Sequence, residues 1–296
     1  MMKSKPLWAA GAALLWTSTA LAQGYAGIAI DEDDVALGQK HYSPYLDQSY
    51  PNRVFFGDTH LHTSYSTDAG MLGNTLGPDE AFRFARGEKV RASVGEYAQL
   101  IRPLDFLVVA DHAENLGLAP MIEESNPDLL KNDWGREIHD LVKDGDIFAA
   151  FVKWGESMAA LTDPIDDDEL TRTIWNRIVE SAERFNEPGV FSAIHGFEWT
   201  SLPDGNNLHR VVMFRDDAGH VEDLVPFSNY DSSDPEDLWA WMQSYEDDTG
   251  GQVLAIPHNG NLSNGMMFDT VRMNGEPIDI DYAERRARWE PLYEVT

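Results

Sequence analysis

The chain has 296 residues, 43% hydrophobic and 11% aromatic, enough for one large or two small globular domains with an ample core. Its 51 acidic against 22 basic residues leave a formal net charge of -29, which argues against nucleic acid or an anionic membrane surface as a partner. Cysteine is absent, so disulfides and thiolate ligands are excluded and any metal site has to use histidine and carboxylate.

Lys3 and Lys5 precede an apolar stretch from Leu7 to about Trp16, and Ala20-Leu21-Ala22 precedes Gln23. These are the three parts of a secretory signal with a small-x-small cleavage site, so residues 1–22 read as a signal peptide and the protein as exported, periplasmic or secreted. The apolar stretch is too short for a membrane anchor and is broken by Thr17, Ser18 and Thr19. Residues 23–50, rich in Tyr, Asp, Pro and Gly, read as an extended leader outside a domain spanning 51–296. The acidic runs Asp31–Asp34 and Asp166–Glu169 lack the loop pattern of an EF-hand and read as solvated faces.

Val54-Phe55-Phe56 reads as a buried strand running into Gly57-Asp58-Thr59-His60-Leu61-His62. Two imidazoles at i and i+2 leave a strand on one side, and Asp68 can close on them from the following loop. By itself the pattern also fits a polar turn with two solvated histidines. Pro78 opens a helix to about Gly87, with Ala81, Phe82 and Ala85 on one face. The continuous apolar run Phe106–Ala110 predicts a parallel strand buried on both faces, ending in Asp111-His112. Residues 114–188 read as a helical insertion over the core, with helices at Ile147–Leu161 and Leu170–Phe185; His139 within it reads as a surface or packing residue.

The next strand, Val190–Phe197, places Glu198 at or just past its end, while His195 inside it fits a satisfied core histidine equally well. A turn at Pro203–Asn207 delivers His209-Arg210 to the strand Val211–Phe214, and His209 faces the same end as Glu198 if the two strands form a hairpin. Asp234 caps a helix to about Tyr245, stopped by Gly250-Gly251. The strand from Val253 ends in Pro257-His258-Asn259, and Pro291–Thr296 resembles a strand just begun. Strands alternating with helices predict an α/β architecture, where chemistry collects at strand ends. His60 and His62, Asp111 and His112, Glu198, and His258 all follow apolar strands, and four strands sharing this habit predict a metal centre.

These segments carry a resemblance. Phe56–Thr63, Leu104–Phe106 through Asp111-His112-Ala113-Glu114, Gly196–Thr200, Pro203–Arg210 and Ile256–Gly265 resemble the PHP (polymerase and histidinol phosphatase) superfamily of metal-dependent phosphoesterases, in particular a related family of large exported bacterial proteins of unassigned function. The resemblance implies a distorted, TIM-like (β/α)7 barrel with two or three divalent ions. Its ligands would be His60, His62, Asp68, His112, Glu198, His209 and His258, with Asp111 a further candidate. The superfamily's later Asp-x-His motif does not occur after His258, so the barrel is expected to be incomplete at its C-terminus and the chain to be the N-terminal part of a longer protein.

A His and carboxylate site suits Zn, Mn or Fe and predicts hydrolysis of a small phosphorylated substrate by a metal-activated water. Asp111, His209 and Arg210 are the candidates for direct catalytic parts. Asp111 or Glu114 would orient ligands, and Arg210, Asn207 and Asn259 would contact phosphate. Two other functions fit the same residues: a metal-dependent amide or ester hydrolase, and a secreted metal-binding module without catalysis. The sequence sets no oligomeric state.

Overall fold

The computed structural model describes residues 53–295; the expected signal (1–22) and leader (23–50) lie outside them. Val54, Phe55 and Phe56, expected as a buried strand, are exposed and form none. Strand β1 is Gly57–Leu61, because the ladder with the neighbouring strand starts at Gly57↔Phe106, while Phe56 N donates to the Asp105 carboxylate at 2.8 Å. A short helix α1 (Thr67–Met71) follows. Then α2 (Pro78–Ala85), with proline in its first turn, buries Pro78, Ala81, Phe82 and Ala85. A small hairpin of β2 (Val90–Arg91) and β3 (Tyr97–Ala98) leads to β4 (Phe106–Val109), parallel to β1.

Four helices follow: α3 (Leu118–Glu124), α4 (Asp133–Lys143), α5 (Ile147–Ala160) and α6 (Asp168–Phe185). The last three start at side-chain caps, Asn132 accepting from Gly135 N, Asp146 from Ala149 N and Asp167 from Leu170 N. α6 packs along α2 and returns the chain to β5 (Ser192–Ile194), parallel to β4.

The single strand expected over Val190–Phe197 is two. β5 ends at Ile194 and β6 (Gly196–Trp199) begins a second sheet, antiparallel to β7 (Arg210–Phe214). A Cβ on Gly196 would stand 2.6 Å from Val108 Cγ1 and 2.7 Å from Val212 O, so glycine permits the crossing. Glu198 therefore lies inside a strand, not at or past its end. A short α7 (Ala218–Val221) precedes α8 (Pro235–Thr249), which starts at the Asp234 cap and stops at Gly250, whose φ is 72°. β8 (Val253–Pro257) pairs antiparallel with β7, and α9 (Ile280–Trp289) packs on α8 and β8. Residues 291–295 form no strand, but Glu294 N donates to Pro257 O at 3.0 Å, beside the end of β8.

The fold is mixed α/β. Among the described residues a parallel sheet β1-β4-β5, an antiparallel sheet β6-β7-β8 and the β2-β3 hairpin are separate, and none closes on itself. The two larger sheets meet at one parallel bridge, His112↔Glu198. Alternation gives each sheet two faces. Leu107, Val109, Val212, Phe214 and Ala255 join the main core with Trp175, Trp239 and Met242 of the helices. Val108, Ala110 and Val211 form a second, smaller cluster with Ile194 and Met213, on a face that both sheets share. No helix among the described residues is long and apolar enough to cross a membrane.

Candidate metal centre

The shared inner face delivers the polar cluster. His112 continues the inward parity of Val108 and Ala110, His209 that of Val211, and His258 that of Ile256; Glu198 lies opposite Val211. His60 and His62 flank the core-facing Leu61. All converge on Glu198, whose side chain is 1% exposed. Its Oε2 lies 3.1 Å from His60 Nε2 and 2.9 Å from His62 Nε2; its Oε1 lies 2.8 Å from His209 Nδ1 and 3.0 Å from His258 Nε2. His112 Nδ1 is 3.6 Å from the same Oε1, and its Nε2 is 3.3 Å from Asp68 Oδ2.

Hydroxyls fix two of the rings. Ser66 Oγ donates to Asp68 Oδ1 at 2.6 Å, so it accepts from His62 Nδ1 at 2.8 Å and leaves His62 Nε2 for the cluster. Thr200 Oγ1 also hydrogen-bonds His112 Nδ1, from beyond β6. Charge then sets protonation. Burial alone would lower His112, but the Glu198 and Asp68 carboxylates hold it up at about 10. Burial would raise Asp68, yet its bond to His112 keeps it far below the ordinary carboxylate value. Glu198 is likewise depressed, the surrounding imidazoles outweighing its desolvation. His60 is raised by Glu198 and Glu294 against its burial, whereas burial lowers His209.

The donor set could hold metal ions. Donors around a tetrahedral ion with bonds of about 2.0–2.1 Å stand roughly 3.3 Å apart. Four three-residue groups here keep their donor atoms within 4.8 Å of one another: His60, His62 and Glu198; Glu198, His209 and His258; His62, Asp68 and His112; and His60, His258 and Glu294. Among the described residues, His209 Nε2 and His258 Nδ1 are buried without a hydrogen-bond partner, as are His195 Nδ1, Trp154 Nε1 and Glu114 Oε2 outside the ligand set. All seven expected ligands thus come together. Glu294 was not anticipated; its signal is a carboxylate set between apolar neighbours in Tyr293-Glu294-Val295, as Glu198 is between Phe197 and Trp199.

Two expected catalytic residues are placed otherwise. Asp111 is buried and spends its oxygens on Thr63, accepting from Thr63 N at 2.5 Å and Oγ1 at 2.7 Å, so it holds the turn after His62. Burial raises its pKa, partly offset by Thr63. Arg210 has the opposite parity to His209: it is 2% exposed, donates to Glu290 Oε1 at 3.0 Å and lies over the Trp199 ring, so it is no phosphate contact. Glu114, also buried, accepts from Asn229 N at 2.6 Å and Thr200 N at 3.2 Å, steadying the strand end that carries Thr200. Asn207 and Asn259 are half-buried beside His209 and His258, Asn259 with a left-handed φ of 57°. His139 bonds Ser125 and Asp140 on α4, and His195 is buried with its Nε2 2.9 Å from Glu183; neither belongs to the cluster.

A family model described as "Protein of unknown function (DUF3604)" matches residues 49–296. No curated protein and no solved structure matches the chain.

Proposed function

The chain belongs to the DUF3604 family, and from that premise we propose that it is a metal-dependent hydrolase of PHP type, a phosphoesterase working with two or three ions of Zn, Mn or Fe on a small phosphorylated substrate. The observation that carries this reading is Glu198, a buried carboxylate facing one histidine pair with each oxygen. Such an arrangement suits a carboxylate shared between neighbouring cations. The proposal includes a distorted (β/α)7 barrel, supported by the His112↔Glu198 bridge between the two sheets, and export, supported by the signal-like residues 1–22.

Divalent ions at such a site act as Lewis acids that lower the pKa of water and draw charge from phosphoryl oxygens. The protein's part is to hold them. His60, His62, Asp68, His112, Glu198, His209 and His258 supply donors, Ser66 and Thr200 fix ring orientation, and Asp111 and Glu114 brace the segments that carry them. With Arg210 bound to Glu290, neutralisation of phosphate charge would fall to the bound cations, and Asn207, two residues before His209, and Asn259, directly after His258, are polar groups close to the ligating histidines. That commitment of Arg210 also favours a second reading, hydrolysis of an amide or ester, since a neutral carbonyl needs no guanidinium.

Metal analysis and paired assays decide. Protein stripped by chelator and reloaded with Zn, Mn or Fe should hydrolyse an aryl phosphate faster than the matching aryl carboxylate ester. Turnover of the ester alone supports the second reading, and bound metal without turnover supports a metal-binding module. His60→Ala should lose metal and activity together; a variant keeping its full metal content removes His60 from the ligand set.

A further inference from the structure

Resting on the metal reading above, we infer that Glu294 is itself a metal ligand, closing an ion position with His60 and His258 that fastens residues 291–295 to the ends of β1 and β8. Placement comes first. The bond from Glu294 N to Pro257 O sets the segment beside the residue that precedes His258. Tyr293 adds a ring contact with Phe268 at 5.5 Å, and its hydroxyl crowds Gly260 so closely that a Cβ there would collide with it. Held by that backbone bond and by the Tyr293 side chain, the segment turns Glu294 toward His60 while Val295 stays 87% exposed.

The chemistry agrees. Glu294 Oε2 lies 3.0 Å from His60 Nδ1, the nitrogen that does not face Glu198. The donor atoms of His60, His258 and Glu294 stand within 4.8 Å of one another. Independently, His258 is fully buried and its Nδ1 has no hydrogen-bond partner among the described residues, which leaves that atom open to a ligand. Charge points the same way. Asp68 and Glu198 are the only carboxylates among the seven expected ligands, and several divalent ions held by mostly neutral imidazoles keep excess positive charge. A third carboxylate reduces it.

The test uses the full chain and zinc as the probe. Wild type and Glu294→Gln are loaded, dialysed and counted by elemental mass spectrometry, and the weakest ion is titrated against a chromogenic chelator. Losing an outer-shell partner weakens metal binding roughly 10–100-fold. Glu294→Gln should therefore hold one ion fewer or bind its weakest ion with a loss beyond that range. Equal stoichiometry with a smaller loss overturns the assignment and leaves the rest of the metal reading standing; wild type that holds no zinc overturns both. Glu294 has a 30% exposed side chain, so the variant should fold, and amide exchange at Glu294 gives a second readout. Zinc should slow that exchange in wild type but not in Glu294→Gln, and equal exchange with and without zinc in wild type overturns the proposal.

Discussion

His209 and Arg210 are adjacent, yet the pleat sends one to the inner cluster and the other outward to Glu290. Glu290 also accepts from Trp239 Nε1 at 2.9 Å and from Arg286 Nε at 3.1 Å, so Arg210 belongs to a buried ion pair that ties β7 to α8 and α9. Arg286 stays paired with Glu290 when Arg210 is removed, so the loss is that of a hydrogen bond to a charged group, about 1.5–3 kcal/mol. Arg210→Ala should lose about that much stability in urea unfolding while its zinc count stays at the wild-type value; a stable variant with impaired phosphate turnover would return Arg210 to the active site. In the sequence the two residues look equally polar. Val211-Val212-Met213-Phe214 is apolar on both faces, which erases the alternation that would have told inward from outward, and Glu290 lies 80 residues away. Asp111 and His112 hid their division of labour for the same reason, behind Phe106–Ala110.

Local punctuation was easier to see than tertiary turns. Asp234 and Gly250 bound α8 as their chemistry demands, and the Pro203–Asn207 turn did announce the reversal that makes β6 and β7 antiparallel. The corner at Gly196 did not announce itself, since an apolar run reads as one strand whether or not it changes sheets. That corner aims Glu198. Gly196→Ala forces a methyl against Val108 and the Val212 carbonyl, and overpacking of this kind typically costs about 1–3 kcal/mol. We expect the variant to unfold at lower urea concentration and, because Glu198 is two residues on, to bind zinc more weakly in a chelator competition; unchanged zinc affinity would mean that the corner does not set the carboxylate's position. The start of β1 differs for another reason: hydrophobicity favours Val54–Phe56, but the hydrogen-bond partner of a strand decides where it begins, and the ladder to β4 starts at Gly57.

Taken together, the two sheets touch along a narrow seam. Its hydrogen bonds are the two that make the His112↔Glu198 bridge, Glu198 N donating to Asp111 O and Ala113 N donating to Glu198 O, each at 2.9 Å, beside the apolar contact of Val108 and Ala110 with Val211. Ligands to the proposed ions come from both sides of it, His60, His62 and His112 from the parallel sheet and its extensions, His209 and His258 from the antiparallel one. A cation that binds only the folded chain adds about 4 kcal/mol of stability at a thousandfold excess over its dissociation constant. Chelation should accordingly lower the melting temperature by several degrees, and amide exchange should quicken at Ala113 and Glu198 ahead of the β7-β8 ladder; a uniform response along the chain would mean that the seam bears no special load. The ions would then work as rivets as well as reagents. A protein assembled this way stiffens or slackens with the ambient supply of cations, so scarcity would be felt first as a loosening of its joint.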